Sequence, residues 1–444
     1  MKSELVSCAV FCALCAVCWG QWLEATIPVG DYPEALCCNS VNNKVYCANN
    51  GSNAVTVIDG GTNAAIGEVE VGFEPCGLCY NSAADKVYCS YWNDGFVTVI
   101  SGAGDTAITH IPMQVCHGFM CCDSTGNKVY CAGDTGDVTV ICGAGDSVLR
   151  VIHAGKEAAA TSMTCSPHHR KAFCGFDFWS APDTVFIIDC RSDSIIAAVP
   201  VSDWPSSQCY NPTNDCVYCG ADYDWTMTVI VCATNQAVAW LDLGYGQSSA
   251  CCAPPESKVF CTTYDGRLLV IDAGSNAVVD SLETGYCQKS FYNYLNHKVY
   301  LASWYDDSAV TVIDAATHEV LCTIGVGVGP IDFCHNPVQN RVYVANYMSS
   351  SVSVIRDSAG GVEETMNDAR GTMNTRATIV RGVLFLLPSH LTLHPSLFSL
   401  SGQKVMSLRP GANDVSGLAP GVYFVREGGM RTQAQTIRRV VVMK

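Results

Sequence analysis

The chain has 444 residues, only 15% of them charged, and its net charge of −16 comes from acids scattered along the whole length. No basic stripe is present to neutralise phosphates, so nucleic acid is excluded as a partner and an anionic extracellular protein is the plainest class. Lys, Glu and Leu are scarce beside Val, Ala, Gly, Ser and Thr, a balance that favours β-structure over helix.

Residues 1–20 read as an export signal. Lys2 supplies the positive charge, Leu5 to Trp19 is apolar, and small Gly20 precedes Gln21-Trp22. The run is short for a membrane span, and nothing later supplies about 20 consecutive apolar residues. Cleavage near Gly20 is expected, with an N-terminal membrane anchor as the alternative.

From there one phrase recurs: N-x-x-x-N-K-V-Y-C-A-N, a short variable stretch, then V-T-V-I-D. Its centre falls at Lys44, Lys86, Lys128, Lys171, Cys216, Lys258, Lys298 and Arg341, with spacings of 42, 42, 43, 45, 42, 40 and 43 residues. In the first copy Glu34 to Asn39, Lys44 to Ala48, Val55 to Ile58 and Ala65 to Val71 read as four strands. Gly and Asn between them supply the positive φ that tight turns need. Four antiparallel strands per repeat of about 42 residues form one blade of a β-propeller.

The eighth copy has only three strands: Ile331 to His335, Arg341 to Ala345 and Val352 to Ile355. Its fourth is found at the other end, where Leu23 to Gly30 matches the ending Gly67 to Gly72. Joining the two ends closes the ring and removes its open edges, which predicts eight blades. The Val-Tyr-x-Ala-Asn and Val-Thr-Val-Ile-Asp phrases resemble the YVTN-type repeats of surface-layer and YncE-like propellers, over residues 22–356. That resemblance implies an all-β propeller at 21–356 and makes seven blades the alternative count.

Of the 28 cysteines, many occupy two repeat positions ten residues apart: Cys37 and Cys47, Cys79 and Cys89, Cys121 and Cys131, Cys209 and Cys219, Cys251 and Cys261. Two readings stand. Each pair could bridge its hairpin if the two residues lie opposite one another. Alternatively, Cys is a small apolar core residue, the favoured reading, since Phe291, Leu301 and Val344 fill the same slots. The C-x-x-C spacings at Cys76–Cys79 and Cys216–Cys219 lack a matched second pair, so no metal site is expected.

The loops between second and third strands share a face with the loops between blades, and they carry aromatics beside carboxylates. Tyr91, Trp92, Asp94, Asp137, Asp177, Trp179, Asp222, Trp225, Asp265, Trp304 and Asp306 are the candidate ligand-binding residues. Aromatic faces beside Asp acceptors suit sugar rings or cations; the competing role is wedging between blades and capping turns. No Gly-x-Ser-x-Gly, His-Glu-x-x-His or phosphate-cradling loop occurs, and no catalytic residue or cofactor is predicted.

Residues 357–376 read as a polar linker, and a second β-pattern fills 377–444. Its phrase Gly421-Val422-Tyr423-Phe424-Val425-Arg426 and its basic, Val-rich end with Arg438 and Arg439 resemble the type A sorting domain of the type IX secretion system. That resemblance implies a small β-sandwich read by the export machinery, with attachment at the outer-membrane surface. The expected function is therefore a secreted, non-catalytic binding propeller with a glycan or protein ligand. The alternative is a propeller hydrolase or lactonase with an acidic site on the loop face.

Overall fold

Val, Ile, Thr and Tyr crowd the repeated phrases, and each phrase becomes strand. The computed structural model describes residues 20–357, apart from 181 and 305–307, and parts of 363–442. The chain divides into two compact units, one over Trp22–Asp357 and the other containing Ser358–Lys444. The signal segment expected over 1–20 lies outside the described residues except for Gly20.

The first unit is an eight-bladed β-propeller. Seven blades are consecutive four-stranded antiparallel sheets; blade 1 runs Pro33–Asn39, Lys44–Asn49, Ala54–Asp59, Ala64–Glu70. We letter these strands a to d from the axis outward. Strands b and c are buried on both faces between neighbouring blades, whereas strand d is largely exposed. Blade 8 combines Pro330–Asn336, Arg341–Asn346 and Ser351–Asp357 with the N-terminal strand Gln21–Pro28 as its outer member. The ring therefore closes with one strand from the N-terminal end, and eight is the blade count.

The structure explains why Lys and Tyr recur in most of the b strands. Lys44 Nζ and Tyr46 Oη both donate to Asp105 in the c–d turn of the next blade, at 2.6 and 2.7 Å. Lys86 does the same to Asp146, Lys128 and Tyr130 to Asp193, and Lys171 to Asn235. These turn acceptors sit at positive φ (Asp105 +52°, Asp193 +51°, Asn235 +59°), which Asp and Asn tolerate best among side chains. The recurrent Asn at the end of strand a also works between blades. Asn39 caps its own turn through the amides of Val41 and Asn42, while its Nδ2 donates to Asp85 of blade 2. A Cβ on Gly102 would run into that Asn39–Asp85 pair, so glycine is required there for the turn to pack. Blade 6 departs further: Phe260 replaces Tyr, as Phe173 does in blade 4, and packs edge-on against His318, while Lys258 pairs with Asp272 of its own blade.

The hairpin disulfide reading is corrected. Cys37 lies opposite Tyr46 and Cys47 opposite Leu36, so the two cysteines are one residue out of register. The same offset holds for the other four pairs. A one-residue slip puts two side chains on opposite faces of the sheet, where no bridge can form. All 24 described cysteines are free thiols, most of them buried.

In the second unit, Ala377–Val380, Ile437–Val442, Gly421–Arg426, Ser396–Ser399 and Lys404–Ser407 form one sheet, extended by Glu363–Glu364. Residues 363–364, expected as linker, thus pair as strand with Ala377 and Thr378. Gly421–Arg426 runs antiparallel to Ile437–Val442, with Phe424 opposite Arg439 and Val425 opposite Arg438. Val383–Leu386 pairs separately with Gly411–Asp414.

Candidate functional site

The eight a strands surround the axis, and at the face of the b–c and inter-blade loops the channel widens to about 1090 Å³. Every blade contributes to its wall. On one side the lining is apolar, from Leu36, Leu78, Met120, Met163 and Phe333; the opposite arc carries Ser207, Gln208, Ser249 and Lys289. Aromatic and charged groups stand at the mouth: Glu34, Glu74, Trp92, His117, Trp304, Asp332 and Tyr347.

Trp92 anchors this mouth. Its Nε1 donates to Glu34 Oε1 at 2.9 Å, and its ring packs 4.7 Å from that of His117. Trp304 lies 5.8 Å from Tyr347, which in turn packs 5.0 Å from Tyr32. Asp332 accepts the Leu36 amide at 2.9 Å and faces Lys289 at 3.7 Å. Burial pushes the Asp332 carboxyl up, against the pull of Lys289. Glu34 is raised to about 7, chiefly by burial, with Asp332 and Glu74 adding negative charge against the hydrogen bonds from Trp92 and Asn50.

This shift predicts a pH dependence. The folded protein keeps the Glu34 proton that an unfolded chain releases near 4.5, so this group's contribution to stability is full below 4.5 and is lost as pH rises through about 7. Glu34→Gln removes that part of the slope. The difference between wild type and variant, read from urea unfolding at pH 5 and pH 8, should amount to about 1–2 kcal/mol after solvent screening. Parallel pH profiles for the two proteins would overturn it.

The predicted ligand residues divide sharply. Trp92 and Trp304 line the mouth. Tyr91 does not: it ends strand b, is fully buried, bonds Thr98 Oγ1 and packs 4.9 Å from Phe96, so its assignment to the binding face is corrected. Asp94 clamps the preceding inter-blade loop by accepting the Phe73 amide at 2.6 Å. Asp137 lies 2.6 Å from His153 Nδ1 on the outer strand of its blade, away from the channel. Asp265 accepts from Thr263 Oγ1 and pairs with Arg267 Nε at 3.2 Å. Burial raises the Asp222 carboxyl against a hydrogen bond from Tyr264. Trp225, at φ +56°, stands 6.4 Å from Tyr245, and Trp179 is 78% exposed. Asp306 lies outside the described residues.

Asp177 enters an arrangement that composition did not reveal. Its carboxylate, with those of Asp183 and Asp203, brings ligand oxygens within 4.8 Å of one another, the group among the described residues able to hold a metal ion. Asp183 is also tied by the amides of Phe178 and Trp204. Burial and the neighbouring Asp183 raise the Asp177 carboxyl. Sequence reasoning also passed over Lys289 and Asp332. A signal was present: in five of the eight a strands the fourth residue before the turn Asn or its equivalent is Ala35, Gly77, Ser162, Ser207 or Ser249, and charge interrupts that small-residue slot at these two positions.

No family model and no curated protein matches the chain. Solved structures are similar to it at the level of fold. Hydrazine synthase of Kuenenia stuttgartiensis aligns with a TM-score of 0.54 at 17% identity, covering 74% of this chain and 96% of that one. The computationally designed Ika8 protein aligns with 0.61 at 16%, covering 76% and 99%. Sqt1 of Saccharomyces cerevisiae aligns with 0.61 at 14%, covering 75% and 97%. At such identities the likeness shows the fold alone.

Proposed function

We propose that this propeller is a secreted, surface-displayed binding module whose ligand, a glycan or a protein segment, docks at the axial mouth. The observation that carries this reading is the Trp92–Glu34 pair standing at one opening beside Trp304–Tyr347 and Lys289–Asp332. Flat apolar faces beside hydrogen-bonding carboxylates and a lysine match the alternating apolar and hydroxyl faces of sugar rings. A cavity of about 1090 Å³ is large for a single small ligand and admits several residues of an oligomeric one.

A glycan array probed with residues 21–357, followed by calorimetry on the hits, tests the reading. Trp92→Ala and Trp304→Ala should each weaken binding at least tenfold, about 1.4 kcal/mol, with the fold intact by circular dichroism. Hits that bind both variants as tightly as wild type would place the site elsewhere.

The export route belongs to the same proposal. The apolar segment at residues 5–19 supports a signal peptide, and the Gly421 to Arg426 phrase with Arg438 and Arg439 supports recognition by type IX secretion machinery. The repeat phrases support kinship with YVTN-type, YncE-like propellers. The second reading, a hydrolase or lactonase, draws on the Asp177, Asp183 and Asp203 group, which offers three carboxylate ligands to a divalent ion. Asp177→Asn separates the two. It should leave mouth binding unchanged in a binding module and abolish turnover in a metal-dependent hydrolase.

A further inference from the structure

The penultimate residue of each a strand faces back toward the preceding blade, where it meets the antepenultimate residue of that blade's own a strand. Around the ring the penultimate position holds Cys38, Tyr80, Cys122, Cys165, Tyr210, Cys252, Tyr292 and His335, so it carries either cysteine or a much larger ring. Its facing partners in the same order are Cys334, Cys37, Cys79, Cys121, Thr164, Cys209, Cys251 and Phe291. Wherever the penultimate residue is Cys, the facing residue is Cys as well. Opposite the four rings, by contrast, Thr164 and Phe291 occur beside Cys37 and Cys251. A slot that merely wanted a small apolar side chain would not impose this match, since Ala or Val would serve equally.

The geometry brings one of these pairs together. Cys252 Sγ lies 2.8 Å from Cys209 Sγ, across the interface of blades 5 and 6 and 43 residues apart in the chain. Between blades 3 and 4, by contrast, Cys165 Sγ donates to the Cys122 carbonyl at 3.8 Å. Cys209 is buried, while Cys252 keeps partial exposure and can be reached by a small reagent.

We propose that Cys209 and Cys252 form a disulfide joining blade 5 to blade 6. The oxidant is a small disulfide such as glutathione disulfide. The half-buried Cys252 thiolate attacks it and releases one glutathione thiolate; Cys209 then displaces the second. One S–S bond forms, two protons leave the protein thiols, and two electrons reduce the oxidant to two thiols. The geometry is independent of the export reading, which only supplies an oxidising compartment.

Peptide mapping tests it on the full-length native sequence, so no variant needs to fold. The purified protein is held in a glutathione redox buffer, alkylated under denaturing conditions, digested without reduction and analysed by mass spectrometry. A linked peptide pair carrying Cys209 and Cys252 is expected in most molecules. Cys252→Ser should free Cys209 for alkylation. Recovery of Cys209 and Cys252 both alkylated in the native sequence, or of either joined to Cys219 or another cysteine, overturns the proposal. Protein recovered from the native host forms a separate arm: links that form in buffer but are missing there count against export and leave the blade-to-blade geometry standing.

Discussion

Truncation after Asp357 leaves a propeller of unchanged stability, whereas truncation two residues earlier, after Ile355, lowers its stability by about 3–5 kcal/mol. The shorter chain loses Arg356, with its contact to Glu24, and above all one buried carboxylate. Asp357 is 1% exposed, accepts from Lys298 Nζ at 2.8 Å and from Asn293 Nδ2 at 2.6 Å, and its carbonyl takes a hydrogen bond from Asn340. It stands in blade 8 in place of the turn acceptor that Asp105 provides for Lys44, so the last blade clasps the seventh through the last residue of the unit. Removing it leaves the Lys298 ammonium buried without its counter-ion, the costly way to break an ion pair. Chemical unfolding of the two truncated chains and of Lys298→Ala checks this. Equal midpoints for the 355 and 357 truncations would rule the clasp out. In the native host, the 357 truncation should also accumulate in the periplasm if 377–444 is the export address; normal surface delivery would sink that assignment.

Deleting residues 21–30 should be the more damaging change, on the order of 5 kcal/mol or more. Ile27 is buried in the cluster formed by Leu36, Val45, Ile58, Val352 and Val354, and its loss alone amounts to about 1.5–3 kcal/mol. Glu24 accepts from Arg341 Nη2 at 2.6 Å and Nε at 2.7 Å, and Arg356 reaches it at 3.2 Å. Arg341 is 5% exposed and also donates to the Gly60 and Gly61 carbonyls, so the same guanidinium ties blade 8 to blade 1. Burial alone would raise the Glu24 carboxyl, but Arg341 and Arg356 outweigh it and hold it below its ordinary range. A depressed folded-state value stabilises above the unfolded pKa and is lost as pH falls through the folded one, so closure weakens in acid. The deletion should expose the Ser351–Asp357 edge and produce a chain that unfolds at much lower urea and self-associates in gel filtration. A monomer with wild-type stability would contradict strand closure.

The blades were legible because each is built from contiguous chain whose period and turn residues are local properties. The closing strand was legible too, since Leu23 to Gly30 reads as a missing fourth strand once the eighth copy is seen to stop at three. What was not legible depends on register or on the ring. The ten-residue spacing of Cys37 and Cys47 looks like a facing pair, yet Asn39 pairs with Lys44, and that turn puts Cys37 opposite Tyr46. Spacing alone does not separate the two alignments. Lys44 and Tyr46 were visible as a recurrence, but their partner Asp105 lies in the next blade, brought near only by the angle between sheets. Tyr91 carried an aromatic ring beside a loop and turned out to finish a buried strand. Glu34, Lys289 and Asp332 drew no notice because they lie on inner strands, not on the loops where ligands were sought.

Closure by the first strand also sets an order of events. Seven blades complete themselves from neighbouring chain as it is made, a low-contact-order process. The eighth needs Gln21–Pro28 to meet Ser351–Asp357, so the first strand made must stay unpaired until the last has appeared. Until then the ring has two raw ends, each a template for strand exchange with another copy. The one step in making this propeller that needs contact across its whole length is therefore the joining of its ends, not the building of any blade.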